Sequence, residues 1–307
     1  LNGVWGSGPS DVFAVGAIGV TLHYDGQDLQ AMTSPTSNEW LNGVWGSGPN
    51  DVFAVGGFAT ILHYDGQNWQ TTTSPVLNEL SDEWFYDVWG SGPQDVFAVG
   101  SSGTIVHYDG RDWQAMTSPT SEALLGVWGS GPQDVFAVGP SGTMLHYDGQ
   151  DWQAMTSPTS ERLSGVWGSG PNDVFAVGDF GTMLHYDGHG WRDMILPVPV
   201  EWLSSVWGNG PRDVFAVGSS GTILHYDGQE WQVRGSTTLA VLYGVWGSGP
   251  RDVFAVGEFG TLLHYDGVSW LKLNSTTDHI LFGAWVAGRS SFFVGDGGAI
   301  YRHTRTL

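Results

Sequence analysis

The sequence predicts an all-β protein: a single eight-bladed β-propeller of four-stranded antiparallel blades, with a last blade of three strands. Three observations lead to this prediction. The 307 residues contain eight copies of a unit of roughly 40 residues, each copy holds four short extended runs separated by turn residues, and no stretch has the periodicity of an amphipathic helix. A helix-free repeat of this length and strand number is typical of propeller blades, and stacked solenoid units are the lesser alternative.

A tryptophan near the start of each copy sets the register of the repeats. Successive copies of this tryptophan are 39 to 44 residues apart: Trp5, Trp45, Trp89, Trp128, Trp167, Trp207, Trp246 and Trp285. Eight histidines recur with the same spacing: His23, His63, His107, His146, His185, His225, His264 and His303. We therefore predict one domain, 1–307, with blades at 1–40, 41–84, 85–123, 124–162, 163–202, 203–241, 242–280 and 281–307.

Each repeat reads as four strands joined by tight turns. In the second copy the runs are LNGVW, DVFAVG, TILHYDG and NWQTTTS, with GSGP before the second run and Asp65-Gly66 after the third. The VFAV core of DVFAVG is apolar on both faces of the strand, which is expected of a sheet covered on both faces. The last copy ends after AIYRHT, so it lacks a fourth strand.

Composition excludes several classes of partner. Ten Lys and Arg against 31 Asp and Glu give a net charge of -21, which repels phosphate backbones and anionic membrane surfaces, so we predict no nucleic-acid partner. The chain has no cysteine and no apolar run of membrane-spanning length, so we predict no membrane insertion. We expect a monomer that is secreted or periplasmic, a location that the absence of cysteine allows.

The pattern DVFAVGxxGTILHYDGxxW resembles two groups of propellers over the whole chain. One is the BNR or Asp-box group, which includes photosystem II assembly factors, and the other is the bacterial propeller lectins that bind fucose and related sugars. The Asp-box begins with Ser or Thr where this sequence has His23 and its equivalents, and its aspartate stands one residue further from its tryptophan. The resemblance implies a propeller with a similar turn; it does not imply sialidase activity, since the arginine cluster of sialidases has no counterpart here.

Residues repeated in every blade are interpreted as framework. We expect the eight histidines to form hydrogen bonds within or between blades, and the aspartates of YDG and GPxD to accept backbone N–H groups in turns. The tryptophan after each YDG turn is expected to pack the fourth strand against its blade. These outer tryptophans are Trp69, Trp113, Trp152, Trp191, Trp231 and Trp270, with Leu29 replacing the first.

The copies differ in the loops that join strand two to strand three and in the linkers between blades, and we expect both to open on the same face. Three of the 17 tryptophans lie outside the framework, and all three stand in linkers directly after a glutamate. The predicted ligand-binding residues are these three pairs and three loop phenylalanines: Glu39, Trp40, Glu83, Trp84, Glu201, Trp202, Phe58, Phe180 and Phe259. The longest linker, 76–87, is the strongest single contact element.

The sequence favours a non-enzymatic binding propeller. Carbohydrate is the leading ligand, because aromatic rings stack on sugars and carboxylates accept hydroxyl hydrogen bonds. The alternatives are a scaffold for a basic protein or peptide and, third, a glycoside-active enzyme; structurally, the tryptophans could simply cap the blade ends. No cofactor is predicted, although a calcium ion at the channel mouth is a weaker hypothesis whose ligands would come from Glu39, Glu83, Glu122, Glu161 and Glu201.

Overall fold

The computed structural model describes residues 1–76 and 82–304, and it confirms the predicted architecture. Seven repeats form four-stranded antiparallel sheets with the strands in chain order, and the last repeat forms a three-stranded sheet. By its contacts the chain divides into two units, Leu1–Ala137 with Leu145–Met155 and Val138–Met144 with Thr156–Leu307. The prediction of one domain stays a prediction. Residues 77–81 of the long linker lie outside the described part of the chain.

The first four repeats contain sixteen strands. They are β1 Gly3–Gly8, β2 Asp11–Val15, β3 Thr21–Tyr24, β4 Leu29–Ala31, β5 Leu41–Gly48, β6 Asp51–Gly56, β7 Ile61–Tyr64, β8 Trp69–Thr71, β9 Phe85–Gly92, β10 Asp95–Gly100, β11 Ile105–Tyr108, β12 Trp113–Ala115, β13 Gly126–Gly131, β14 Asp134–Val138, β15 Met144–Tyr147 and β16 Trp152–Ala154. Strands β1, β5, β9 and β13 pack side by side, so the first strand of each blade is the innermost.

The last four repeats contain fifteen strands. They are β17 Leu163–Gly170, β18 Asp173–Gly178, β19 Met183–Tyr186, β20 Trp191–Asp193, β21 Leu203–Gly210, β22 Asp213–Gly218, β23 Ile223–Tyr226, β24 Trp231–Val233, β25 Leu242–Gly249, β26 Asp252–Gly257, β27 Leu262–Tyr265, β28 Trp270–Lys272, β29 Leu281–Ala287, β30 Ser290–Gly295 and β31 Ile300–Thr304. The first strands again pack on one another, from β17 through β21 and β25 to β29.

The second strand of each blade is the buried centre of its sheet, as its apolar run predicts. In β6 the side chains of Val52, Phe53, Ala54 and Val55 are all fully buried. The phenylalanine stacks on the histidine of its own third strand and meets the outer tryptophan of the next blade edge-on. For Phe13 these ring centroids lie 4.2 Å from His23 and 6.0 Å from Trp69. Because both contacts recur from blade to blade, the core is a series of aromatic clusters placed between neighbouring sheets.

The Trp-Gly dipeptide of the first strand joins neighbouring blades at five junctions. The ring of Trp167 covers Gly208 of the following blade so closely that a Cβ there would lie 2.5 Å from the ring. The same contact joins Trp5 to Gly46, Trp45 to Gly90, Trp89 to Gly129 and Trp207 to Gly247. Glycine is therefore needed at this position because the tryptophan ring occupies the space of a side chain.

The last blade shows what happens when this glycine is absent. Val286 stands at the corresponding position, directly after Trp285, and the preceding tryptophan, Trp246, is 40 % exposed. Its counterpart one blade earlier, Trp207, covers Gly247 and is only 6 % exposed. The Val286 side chain stands where the other blades have a glycine, so the Trp246 ring cannot cover this position as Trp207 covers Gly247.

The histidines are structural in seven blades, but the predicted role of the GPxD aspartate was wrong. Asp11 does not cap its turn through backbone N–H groups. Its two carboxylate oxygens instead receive hydrogen bonds from the Ser7 hydroxyl, at 2.5 Å, and from His23 Nε2, at 2.7 Å. Burial alone would raise the pKa of Asp51 in the second blade, but the hydrogen bonds from His63 and Ser47 outweigh it and lower that pKa. The network therefore holds a charged carboxylate between two donors.

The YDG aspartate behaves as predicted. Asp65 Oδ1 accepts the backbone N–H groups of Gln67 and Asn68, each at 2.9 Å, and Gly66 has a φ of 90°. These two N–H donors lower the pKa of Asp65. The outer tryptophans are also buried as predicted, whereas Leu29, at the first of these positions, is exposed.

The eighth histidine was assigned incorrectly from its spacing. Strand pairing places Arg302, not His303, opposite Phe292, which is the position that His23 holds opposite Phe13. The first hairpin of the last blade is one residue shorter than in the other blades, which shifts everything after it. Phe292 thus replaces the core phenylalanine and Phe293 the alanine, and the Arg302 guanidinium lies 5.9 Å above the Phe292 ring. A cation over an aromatic face replaces the stacked imidazole.

We predict that Gly208→Ala destabilises the protein by about 1–3 kcal/mol, because the added methyl group collides with the Trp167 ring and the adjacent backbone. Gly210→Ala is the matched control, since a Cβ at Gly210 would meet no atom within 4 Å. Urea unfolding followed by circular dichroism measures both. Equal stability of the two variants would show that the Trp-Gly contact tolerates a side chain.

The sixth blade carries a natural defect in the Ser–Asp–His network. Asn209 replaces the serine, and Asp213 Oδ2 is buried without a hydrogen-bond partner, while Oδ1 keeps His225 at 2.7 Å. Asn209→Ser should stabilise the fold by about 1 kcal/mol by supplying the missing donor. Thermal unfolding tests this, and Asn209→Ala, which adds no donor, is the control; a gain shared by both variants would contradict the explanation.

Candidate functional site

The two variable segments of each blade meet at the same end of the sheet. The backbone N–H of the loop between strands two and three donates to the carbonyl oxygen of the glutamate in the following linker. These hydrogen bonds run from Gly19 to Glu39 at 2.7 Å, from Ala59 to Glu83 at 2.7 Å and from Phe180 to Glu201 at 2.6 Å. Within each unit, the predicted phenylalanines and the predicted Glu-Trp pairs are therefore brought to the same blade ends.

The tips of these loops hold apolar side chains in a strained backbone conformation. Ile18, Phe58, Phe180 and Phe259 have φ values of 52° to 55°, in the left-handed region, and are 49 to 78 % exposed. Ser102, Ser141 and Ser220 adopt the same conformation in other blades. Left-handed backbone is unfavourable for side chains of this size, and exposing an apolar side chain gains nothing for folding. Local propensity explains none of these four residues, and packing does not explain Ile18, Phe180 or Phe259.

The three linker tryptophans occupy one structural position but have different surroundings. Trp40 is 52 % exposed and Trp202 is 37 % exposed. Trp84 is half-buried: its ring covers Gly57 and lies 6.1 Å from the Phe58 ring between centroids. Trp84 therefore partly caps the end of its blade, which is the structural role that stood as the alternative to ligand binding.

Of the predicted glutamates, Glu83 has a structural role. Its Oε2 accepts hydrogen bonds from Ser101 Oγ at 2.6 Å and from Thr104 Oγ1 at 3.1 Å, which tie the linker to the next loop. Glu201 and Glu122 are exposed, and Glu39 and Glu161 are half-buried. In residues 1–76 and 82–304, no three His, Asp or Glu side chains form a group that could hold a metal ion. The calcium hypothesis thus gains no support from the geometry.

One cleft adjoins a predicted tryptophan. It has a volume of about 410 Å³, opens at the ends of β17, β21 and β25, and is lined by Arg162, Ser164, Asp179, Trp202, Ser204 and Tyr243. Asp179 and Trp202 also form an isolated β-bridge. Only Trp202 of these residues was predicted from the sequence. Asp179 stands out in the sequence as an acidic residue in a variable loop, whereas Tyr243 gives no such signal, because Tyr86 and Phe282 hold the same position in other repeats.

Sequence reasoning also missed Asp87, on the innermost strand β9. Its carboxylate accepts the backbone N–H of Val88 and that of Val127 in the next blade, both at 2.9 Å. Burial raises its pKa to about 6, and these two N–H donors only partly oppose the effect. Six other repeats have glycine at this position and one has serine. An aspartate at a position that otherwise holds glycine or serine was the feature by which the sequence could have identified Asp87.

Comparison with known proteins defines the class. The chain is a β-propeller: it superposes along 99 % of its length, at a TM-score of 0.81 and 16 % identity, on 96 % of the computationally designed Ika8 protein. Saccharomyces cerevisiae Sqt1 gives a TM-score of 0.80 at 13 % identity, with coverage of 99 % of this chain and 95 % of that one. At these identities the likeness shows the fold alone.

A third solved structure is YCF48 bound to D1 peptide, which matches 85 % of this chain and 90 % of its own at a TM-score of 0.64 and 20 % identity. No family model matches the sequence, and no curated protein matches it. The resemblance to Asp-box and lectin propellers is thus confirmed only as far as the propeller fold. Among the described residues, no helix is long and apolar enough to cross a membrane.

We predict that Asp87 makes stability depend on pH. Its folded pKa of about 6 lies above its ordinary value of 3.8, so its contribution to stability is greatest at low pH and is lost as pH rises from about 4 to about 6. Asp87→Asn, which cannot ionise, should therefore gain about 2–3 kcal/mol relative to the wild type across this range. Urea titrations from pH 4 to pH 8 measure the difference. A difference that does not change with pH would contradict the raised pKa.

Proposed function

We propose that this protein is a non-enzymatic scaffold that binds a basic protein or peptide through the loop and linker ends of its blades. The observation that carries the proposal is the set of four apolar side chains, Ile18, Phe58, Phe180 and Phe259, held exposed in left-handed backbone. Strain and exposure both oppose folding stability, and serine occupies the same conformation elsewhere in the chain. Binding a partner would recover the apolar contact area.

Charge supports a basic partner. The net charge of -21 gives the molecule a strongly negative field, which favours encounter with cationic surfaces. Exposed apolar rings beside acidic groups suit a peptide that carries both basic and apolar residues. The peptide-bound state of the YCF48 structure shows that a propeller with a similar fold takes a peptide ligand, which supports this class of function.

The repeated Ser–Asp–His network does not supply an enzyme's nucleophile. In it the serine hydroxyl and the histidine both donate to the aspartate, so no basic nitrogen is placed to take the serine proton. The network is also repeated from blade to blade, as a framework element would be. Carbohydrate binding remains the sequence prediction that the same experiments must separate from peptide binding.

The first test is binding to an array of 15-residue peptides of varied charge and aromatic content, run beside a glycan array. We expect hits among basic peptides, with affinities that fall as salt rises, because screening weakens exposed charge pairs. Hits confined to glycans would overturn the proposal in favour of the carbohydrate prediction.

Substitution of the loop tips identifies the surface. The double variants Ile18→Ser/Phe58→Ser and Phe180→Ser/Phe259→Ser place serine where Ser102, Ser141 and Ser220 already adopt the required backbone, so folding should be preserved. At least one should weaken binding of the array hits by about tenfold or more. Val268→Ser removes an exposed apolar side chain from a YDG hairpin and should leave affinity unchanged. Equal affinity of all variants would exclude this surface.

A further inference from the structure

The cleft beside Trp202 has the composition of a site for one side chain of the partner, and the inference below rests on the proposed function. Its lining residues are two aromatic ones, Trp202 and Tyr243, together with Asp179, Arg162 and two serines. All of these residues belong to the unit formed by Val138–Met144 with Thr156–Leu307. The volume of about 410 Å³ exceeds what a single side chain fills, so part of a peptide backbone can enter as well.

The aromatic wall is held in place before any ligand arrives. The Trp202 backbone N–H donates to Ser219 Oγ at 3.3 Å, and its carbonyl oxygen accepts the Ser219 N–H at 3.0 Å. Asp179 is fixed in the same way, because its N–H donates to the carbonyl oxygen of Arg162 at 2.9 Å. Little conformational freedom of the backbone is left to lose on binding.

Trp202 differs from the two related tryptophans in the loop residue that stands opposite it, which is an acid only at Trp202. At Trp84, the first residue of the preceding blade's loop is Gly57, and the indole ring covers it. At Trp40 the corresponding residue is Ala17. At Trp202 it is Asp179, which forms a β-bridge with the tryptophan and lines the cleft. The same framework position is thus a cap in one blade and an acidic aromatic cleft in another.

Acidic side chains outnumber basic ones around the cleft. Asp179 lies in its wall, and the carboxylate of Glu258 lies near the hydroxyl of Tyr243. Burial, followed by the negative charge of Glu258, raises the pKa of Tyr243, so the phenol stays neutral. Arg162 is the one cation among the lining residues, and its side chain is exposed to solvent.

We propose that this cleft binds the guanidinium group of an arginine in the partner, stacked on Trp202 and paired with the carboxylate of Asp179. A guanidinium is planar, stacks on aromatic faces and presents several N–H donors at once, whereas an ammonium is a compact, strongly hydrated point charge. The hydroxyls of Ser164 and Ser204 supply further acceptors. Arg162 repels such a ligand at the rim and reduces its affinity.

The experiment is an NMR titration of the protein with N-acetyl-arginine amide, with the uncharged isostere N-acetyl-citrulline amide as the comparison ligand. The indole N–H signal of Trp202 is assigned by its loss in Trp202→Phe. We expect this signal to shift saturably with the arginine probe and not with the citrulline probe. Equal shifts with both probes would overturn the inference.

Three variants define the chemistry. Asp179→Asn should weaken binding of the arginine probe by about tenfold through loss of the charge-assisted pair. Arg162→Gln should strengthen it about two- to threefold by removing the like charge. Asp193→Asn removes one exposed carboxylate from the same blade outside the cleft and should change affinity by less than about twofold. No effect of Asp179→Asn, or weaker binding in Arg162→Gln, would exclude the guanidinium site.

These results are separable from those that test the proposed function. If array peptides bind and depend on the loop phenylalanines but not on Asp179 or on their arginines, the scaffold function stands and the arginine site is wrong. If the arginine probe binds as expected while no peptide is captured, the site stands and the scaffold function is wrong.

Discussion

Within each unit, neighbouring blades are joined by an indole ring that lies where a side chain would otherwise be, except at the last blade, where Val286 replaces the glycine. Trp167 over Gly208 shows the constraint: the glycine must lack a Cβ so that neighbouring inner strands can approach. The aromatic cluster of Phe, His, Tyr and Trp closes the same interface further out. Together these contacts explain why the repeats are so alike, because each copy must fit both of its neighbours.

Contacts that repeat from blade to blade fix the residues at one end of each blade, so the sequence varies mainly at the other end. The hairpins that carry the Ser–Asp–His network and the YDG turn are occupied by hydrogen bonds that repeat from copy to copy. At the other end, loops and linkers are held mainly by backbone hydrogen bonds, such as that from Phe180 to Glu201, which do not depend on side chains. Phe180, Trp202 and Asp179 could therefore diverge without disturbing the blade, and that freedom makes them available for binding.

The sequence predicted mainly the features that repeat from blade to blade. Strand order, the three-stranded last blade and the buried outer tryptophans were predictable, because periodicity reports contacts that repeat. The role of Asp11 was not, since an aspartate beside a turn reads as a backbone acceptor until the strand pairing places His23 against it. The shift in the last blade was hidden for a related reason. Its first hairpin is one residue shorter, so strand pairing places Arg302 at the equivalent of His23, while His303, one residue later, keeps the usual spacing from Trp285.

The sequence by itself determined the architecture and the list of residues that differ between copies, because both are properties of the repeat. Only the tertiary structure decided which of those residues are engaged and which are available. It tied Glu83 to Ser101 and Thr104, laid Trp84 over Gly57 and set Trp202 beside Asp179 at the edge of a cleft. The physical reason is that a side chain's availability depends on neighbours from other blades, and those neighbours are adjacent in space but distant along the chain.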